Sequence, residues 1–263
     1  MGRRLFVRIS DLSAGYDGEI VIEDVSFEIT KPEVFVIMGP NGAGKSTLLR
    51  AILGLARIHS GTIEVFGYHV PRDISNIRRI IGYMPQREYV SLNMPVRVID
   101  IVASGIALRK GPLSPITRDD LDIVEEVLRR VGIPRDLWKK RFDRLSGGQQ
   151  QKTLIARALV GKPRLLLLDE PFSAVDIKSL RDIMELIVEL KETEGIPTML
   201  VVHDVNEIIE YVDKLALLNR KIIAWGDPAS VLTPENLKMT YGVDIKVVPY
   251  LGKCLALIGD RHA

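Results

Sequence analysis

A single cysteine, Cys254, stands in the 263-residue chain. One thiol can build neither an internal disulfide framework nor a cysteine-rich metal site, and such poverty fits a reducing compartment. Cys254 itself reads as a small apolar filler. Long apolar runs are missing too: no uncharged stretch approaches the ~18 residues of a membrane-spanning helix, so any membrane association is expected to pass through a partner. Near the start, only Leu5, Phe6 and Val7 separate the early arginines from the next charge, short of the roughly 7–15 apolar residues of an export-signal core. No export signal is expected, and the chain is expected in the cytoplasm. Charge of one sign is also lacking, because 36 Lys and Arg nearly cancel 34 Asp and Glu to leave +2. That balance argues for neither a nucleic-acid partner nor an anionic membrane surface.

Apolar residues are plentiful at 46%, ample for a packed core in one large domain or two small ones. Residues 5–10, 20–29 and 62–66 are rich in branched and aromatic side chains and separated by turn signals such as Tyr16-Asp17-Gly18, which predicts a mostly antiparallel sheet. Residues 34–38 form a continuous apolar run, followed by glycines and a helical pattern over 45–53. Similar buried-strand runs recur at 164–168 and 198–202, each before polar residues and a helical stretch. Three such units imply a parallel sheet flanked by helices. Helical periodicity over 96–108, 118–131 and 149–160 forms an insert between them, broken by Pro112 and Pro115. Residues 214–225 predict a hairpin turning at 219–221, and 233–241 a short helix opening at Pro234.

Gly39, Pro40, Asn41, Gly42, Ala43, Gly44, Lys45 and Ser46 match G-x-x-x-x-G-K-[ST] where the pattern must lie, between a predicted strand and helix. The glycines let successive N–H groups face a phosphate, and the helix adds the positive end of its dipole. Lys45 should reach the β- and γ-phosphates of ATP, with Ser46 ligating Mg²⁺ and Thr47 beside it in the nucleotide site. The run at 165–168 ends in Asp169 and Glu170, whose side chains point to opposite faces of a strand. Asp169 suits the Mg²⁺ shell, and Glu170 suits a base that polarises the attacking water. Ser146, Gly147, Gly148 and Gln149 follow Leu145 and precede a helix expected near Gln150, a second anion-binding arrangement in one chain. One nucleotide cannot need both loops unless the chain folds back or dimerises.

With these residues in hand the chain resembles the ATP-binding cassette (ABC) family, whose signature motif residues 145–149 match letter for letter. The resemblance spans roughly residues 5–227. It implies an α/β fold: a P-loop NTPase core with a mostly parallel sheet, an N-terminal antiparallel β subdomain and a helical insert carrying the signature. Residues 1–240 are expected to form the ATPase domain, with the insert over about 90–160, and 241–263 a C-terminal extension. It further implies two copies packed head to tail, each signature loop closing on the ATP held by the other copy's phosphate loop. By position, Tyr16 matches the aromatic that stacks on adenine, and Gln86 the glutamine that touches Mg²⁺ and water. His203 matches the switch histidine beside the γ-phosphate, and Asp176 the acidic residue of the loop that crosses the dimer interface. The implied activity is ATP hydrolysis coupled to transmembrane transport. Its implied partners are a second cassette, integral permease subunits and an extracytoplasmic substrate-binding protein, with no nucleic acid and a place on the cytoplasmic face of the membrane.

DNA-repair and chromosome-organising relatives resemble cassettes split by long coiled coils, whereas about 98 residues without sustained heptads lie between Ser46 and Leu145 here. Translation-associated relatives carry two cassettes in one chain, and this chain carries one. A binding module without turnover would not need both Glu170 and His203. For cargo, residues 81–87 and 93–98 resemble the corresponding stretch of metal-uptake cassettes, although Met94 replaces an aromatic and Arg97 a threonine. Import of zinc or manganese is the expectation, with siderophore or cobalamin import as the alternative.

Overall fold

Branched residues alternating with polar ones fold the beginning of the chain into long strands, and continuous apolar runs become short strands buried on both faces. The computed structural model describes residues 5–86, 95–111, 114–173, 175–250 and 253–257. In chain order, β1 (Val7–Tyr16) and β2 (Glu19–Ile29) form a hairpin, and β3 (Val34–Met38) leads into α1 (Lys45–Ile52). Next come β4 (Arg57–Val65), β5 (Tyr68–Val70), α2 (Ile74–Ile80) and β6 (Ile81–Met84). Helices α3 (Val98–Lys110), α4 (Arg118–Arg130) and α5 (Gly147–Leu159) precede β7 (Leu165–Asp169), α6 (Ile177–Glu194) and β8 (Thr198–Val202). The chain continues with β9 (Lys214–Asn219), β10 (Lys221–Gly226), α7 (Pro228–Val231), α8 (Pro234–Tyr241), β11 (Lys246–Tyr250) and β12 (Lys253–Leu257). No helix among the described residues is long and apolar enough to cross a membrane.

The chain divides into two units, one built from the chain up to Ile74 and from Met199 onward, the other from Ser75–Thr198. In the first unit an antiparallel sheet runs in the order β2-β1-β4-β5, as the early strand pattern predicts. Strand β4 starts earlier than expected, because the register pairs Gly15 with Arg57 and Ala14 with Ile58 and so recruits polar residues into the ladder. A second sheet in this unit has the order β10-β9-β3-β8, with β3 parallel to β9 and the expected hairpin joining β9 to β10. Every residue of β3 and of β8 is buried. Burying each large apolar side chain there contributes roughly 1.5–3 kcal/mol, which is why these runs hold the centre. Phe27 stacks on Phe35 with ring centroids 4.8 Å apart, packing β2 over β3.

In the second unit β6 pairs in parallel with β7, Met84 opposite Leu168. Helices α3 to α6 supply the expected helical content. Helix α5 opens at Gly147, earlier than the sequence pattern suggests, because Ser146 acts as its N-cap and draws both glycines into the first turn. Helix α4 opens on a capping box: Asp120 N donates to Thr117 Oγ1 at 3.4 Å, and Thr117 N donates to Asp120 Oδ2 at 2.7 Å. The same carboxylate accepts from Lys110 Nζ at 2.5 Å. The Lys110 ammonium, followed by the Thr117 backbone N–H, lowers the Asp120 carboxyl from its ordinary 3.8 to about 2. A depressed folded value gives stability that is present above the unfolded pKa and lost as pH falls through the folded one, here between about pH 4 and pH 2. Asp120→Asn is therefore expected to lower the urea midpoint at pH 7 and to flatten its decline between pH 4 and pH 2.5. Parallel midpoint curves for the two proteins would remove Asp120 from this acid sensitivity.

Candidate functional site

The phosphate loop sits where strand β3 gives way to α1 in the first unit. Gly44 takes φ +95° at the N-terminus of α1, and a Cβ there would stand 2.2 Å from Ile22 Cγ2, so only glycine fits. The first turn of α1 holds no acidic residue, leaving the positive end of the helix open to an anion. Lys45 is 5% exposed and donates from Nζ to the carbonyl oxygens of Gly39 at 2.7 Å and Pro40 at 2.9 Å. The ammonium thus bridges the loop it belongs to. From behind, Arg220 N donates to the Ala43 carbonyl oxygen at 3.0 Å, and Gly39 packs so closely that a Cβ would stand 1.9 Å from the Leu218 carbonyl oxygen. The guanidinium of Arg220 in turn pairs with Glu23 at 2.5 Å. Tyr16, at the tip of β1, is half-buried, and its hydroxyl is buried with no hydrogen-bond partner among the described residues. His203 follows the last residue of β8 and is exposed.

In the second unit the parallel register decides the geometry. Met84 lies opposite Leu168, and two residues further on Gln86 Nε2 donates to Glu170 Oε2 at 3.0 Å. Glu170 holds φ 52°, a left-handed conformation that costs a non-glycine residue of order 1–3 kcal/mol and is kept only where its surroundings impose it. Asp169 beside it is fully buried at the end of β7. Ser146 N donates to Gln149 Oε1 at 3.1 Å and Ser146 Oγ accepts from Gln149 N at 3.4 Å, a second capping box. A Cβ on Gly148 would stand 2.7 Å from Ser179 Oγ, so α5 starts hard against the first turn of α6. That turn is capped by Asp176, whose carboxylate accepts from Ser179 N and Ser179 Oγ, each at 2.9 Å. These hydrogen bonds, the backbone one first, hold the Asp176 carboxyl below the usual carboxylate range.

A family model described as ABC transporter matches residues 22–173, more than half of the chain. The chain belongs to the ABC transporter family. It is 38% identical to the manganese transport system ATP-binding protein MntB of Bacillus subtilis, over 90% of this chain and 92% of that one. It is also 38% identical to the zinc transport system ATP-binding protein TroB of Treponema pallidum, over 90% of this chain and 86% of that one. Among solved structures, an inward-facing metal-chelate type ABC transporter matches with TM-score 0.80 and 27% identity, covering 96% of each chain. A dimeric ATP-binding cassette bound to ADP and Pi matches with TM-score 0.74 and 26% identity, covering 84% of this chain and 98% of that one. The protein is accordingly an ATP-binding ABC ATPase coupled to transport, with the α/β cassette fold.

The donor types in this cassette suit Mg²⁺. The Ser46 hydroxyl, Asp169 carboxylate and Gln86 amide offer hard oxygen ligands, the kind a small divalent cation takes beside phosphates. Lys45, Ser46, Tyr16 and His203 belong to the first unit, and Gln86, Ser146, Asp169 and Glu170 to the second. Within its unit the cassette brings Gln86 to Glu170 and Ser146 to Gln149. Sequence reasoning missed Arg220, which supports the phosphate loop from the β9–β10 turn. It also missed Gln151, fully buried, whose Nε2 donates to Ser173 Oγ at 3.1 Å and to the Ser173 carbonyl oxygen at 3.2 Å. Helix α5 also buries Gln150 and Thr153, so the polar run that opens this helical pattern was the available signal for Gln151. Arg220 left none.

Proposed function

We propose that this subunit powers the import of a divalent transition metal, zinc or manganese, by hydrolysing ATP between two copies of itself arranged head to tail beneath a separate permease. The observation that carries the catalytic part is the 3.0 Å contact from Gln86 Nε2 to the strained Glu170. An amide donor fixes the orientation of the carboxylate, which then serves as the base that takes a proton from the attacking water. His203 helps place that water against the γ-phosphate. Lys45 and the N–H groups that open α1 neutralise the phosphate charge, and the other copy's Ser146 and Gly148 close over it. Tyr16, Gly39 through Thr47, Gly147 and Gln149 complete the nucleotide contacts. Ser46, Asp169 and Gln86 would hold Mg²⁺, which supplies further charge neutralisation on the β- and γ-phosphates. Closure and reopening of the pair pass motion to permease subunits, placing the protein on the cytoplasmic face of the membrane. An extracytoplasmic binding protein would deliver the cargo.

The manganese and zinc systems to which MntB and TroB belong support the metal cargo. The likeness to a metal-chelate type transporter favours a second reading, uptake of a chelate such as a ferric siderophore or cobalamin. Uptake by the transporter reconstituted in vesicles, measured in parallel for radioactive zinc, manganese, a ferric siderophore and cobalamin, separates the two. ATP-dependent accumulation of zinc or manganese is expected, and accumulation of the chelates alone would overturn the metal reading.

A further inference from the structure

The β1–β2 hairpin that carries Tyr16 and the phosphate loop are separate stretches of the first unit, and one residue from a third stretch touches both. Arg220 stands alone between β9 and β10. It holds φ 60°, a left-handed conformation that glycine adopts without strain and that a residue with a Cβ keeps only where its surroundings impose it. Its own bonds supply the imposition. The backbone N–H donates to the Ala43 carbonyl oxygen at 3.0 Å, and the Arg220 carbonyl oxygen accepts from Glu23 N at 2.8 Å. One guanidinium nitrogen, Nη2, donates to the Ile20 carbonyl oxygen at 3.1 Å and to Glu23 Oε1 at 2.5 Å. Lys221 Nζ stands 3.8 Å from the other Glu23 oxygen. The hydrogen bond from Arg220, followed by its charge, holds the Glu23 carboxyl below the usual carboxylate range.

Two consequences reach the nucleotide. The Ala43–Gly44 peptide is trans, so fixing the Ala43 carbonyl on Arg220 turns the Gly44 N–H the opposite way, from the turn behind the loop toward the face a phosphate would occupy. Ile20 pairs with Gly15, next to the Tyr16–Glu19 pair at the hairpin's tip, so the guanidinium fastens that hairpin to the same turn. Glycine at position 220 would relieve the backbone and keep the N–H; only the side-chain clamp requires arginine. We propose that Arg220 is a positioning residue of the ATP site, its guanidinium clamping the β1–β2 hairpin to the phosphate loop so that the aromatic that meets adenine and the N–H groups that meet phosphate are held at one spacing. The inference rests on the reading of Tyr16 and residues 39–47 as the nucleotide site.

The test is steady-state ATP hydrolysis by the full chain, with KM and kcat read separately. Arg220→Gly keeps the backbone bond and suits the left-handed turn, yet it is expected to raise the KM for ATP about fivefold while kcat stays within about twofold of wild type. A merely structural role would lower the active fraction, and hence kcat, without moving KM. Arg220→Lys keeps the charge but loses the fork that reaches Ile20 and Glu23 together, and its KM is expected to rise only about twofold. Glu23→Gln combined with Arg220→Gly is expected to be no worse than Arg220→Gly alone, because both changes remove one contact. Since the pair is half-exposed, raising the salt concentration is expected to shrink the KM difference between wild type and Arg220→Gly. An unchanged KM in Arg220→Gly overturns the inference, as does a fall in kcat alone or full additivity of the two substitutions. Lys45→Ala measured in parallel distinguishes the two failures: if it too leaves KM unchanged, the nucleotide-site reading fails and takes this inference with it.

Discussion

Glu170→Gln is expected to slow ATP hydrolysis by roughly 10²- to 10⁴-fold, the contribution typical of a positioned general base, while ATP still binds. The substitution keeps the shape of the side chain and an oxygen able to accept the hydrogen bond from Gln86 Nε2, so the local geometry survives. What disappears is the capacity to take a proton. A site that binds ATP, closes and cannot turn over should accumulate as a closed pair. Size-exclusion chromatography with ATP and Mg²⁺ is then expected to show a dimer that wild type forms only transiently, alongside phosphate release near background. Turnover at the wild-type rate would remove Glu170 from the catalytic role. Loss of nucleotide binding together with turnover would instead assign it to the ATP site's architecture.

The second large effect separates the two loops that face phosphate. Lys45→Ala removes the ammonium that bridges the Gly39 and Pro40 carbonyl oxygens and that would stand against the β- and γ-phosphates. Loss of a charge-assisted contact of this kind is expected to weaken ATP binding roughly 10- to 100-fold. Ser146→Arg acts differently. Ser146 is exposed at the start of α5, so a bulky cation there should leave ATP binding to the isolated copy intact and block closure of the one composite site to which that loop contributes. Because Ser146 also caps α5, circular dichroism on the variant verifies that the helix survives. Neither variant is expected to hydrolyse ATP appreciably alone. In a mixed head-to-tail pair one composite site carries both substitutions and the other carries neither, so equal mixing should restore up to about a quarter of wild-type turnover. A mixture as inactive as its components would exclude the trans arrangement.

Much of this protein was legible before any tertiary structure, because the features concerned are local. A phosphate loop is a strand, a curled turn and a helix N-terminus within a dozen residues, so residues 34–53 announce it by periodicity and glycine placement alone. The antiparallel hairpins follow from alternation and turn residues, and the signature loop follows from serine and glycine ahead of a helical pattern. Even the start of α5 was misjudged by only a few residues, since glycines weaken the helical pattern that a serine cap then overrides.

Whatever depends on register or on pairing distant segments stayed hidden. Gln86 in a loop looks solvated, and only the parallel pairing of β6 with β7 delivers its amide to Glu170. Arg220 gives no sign that its N–H supports Ala43, because the two are joined by a turn brought beneath the phosphate loop when β9 pairs with β3. Arg78, Arg79, Arg109 and Arg157 are unremarkable last-turn cations along the chain. They come to line one cavity only because Gly82 and Gly105 let two backbones close on a third. Local chemistry along the chain specified the machine's parts and the reaction they perform. Which oxygen each donor meets depended on contacts between residues far apart in sequence, where propensity carries no information.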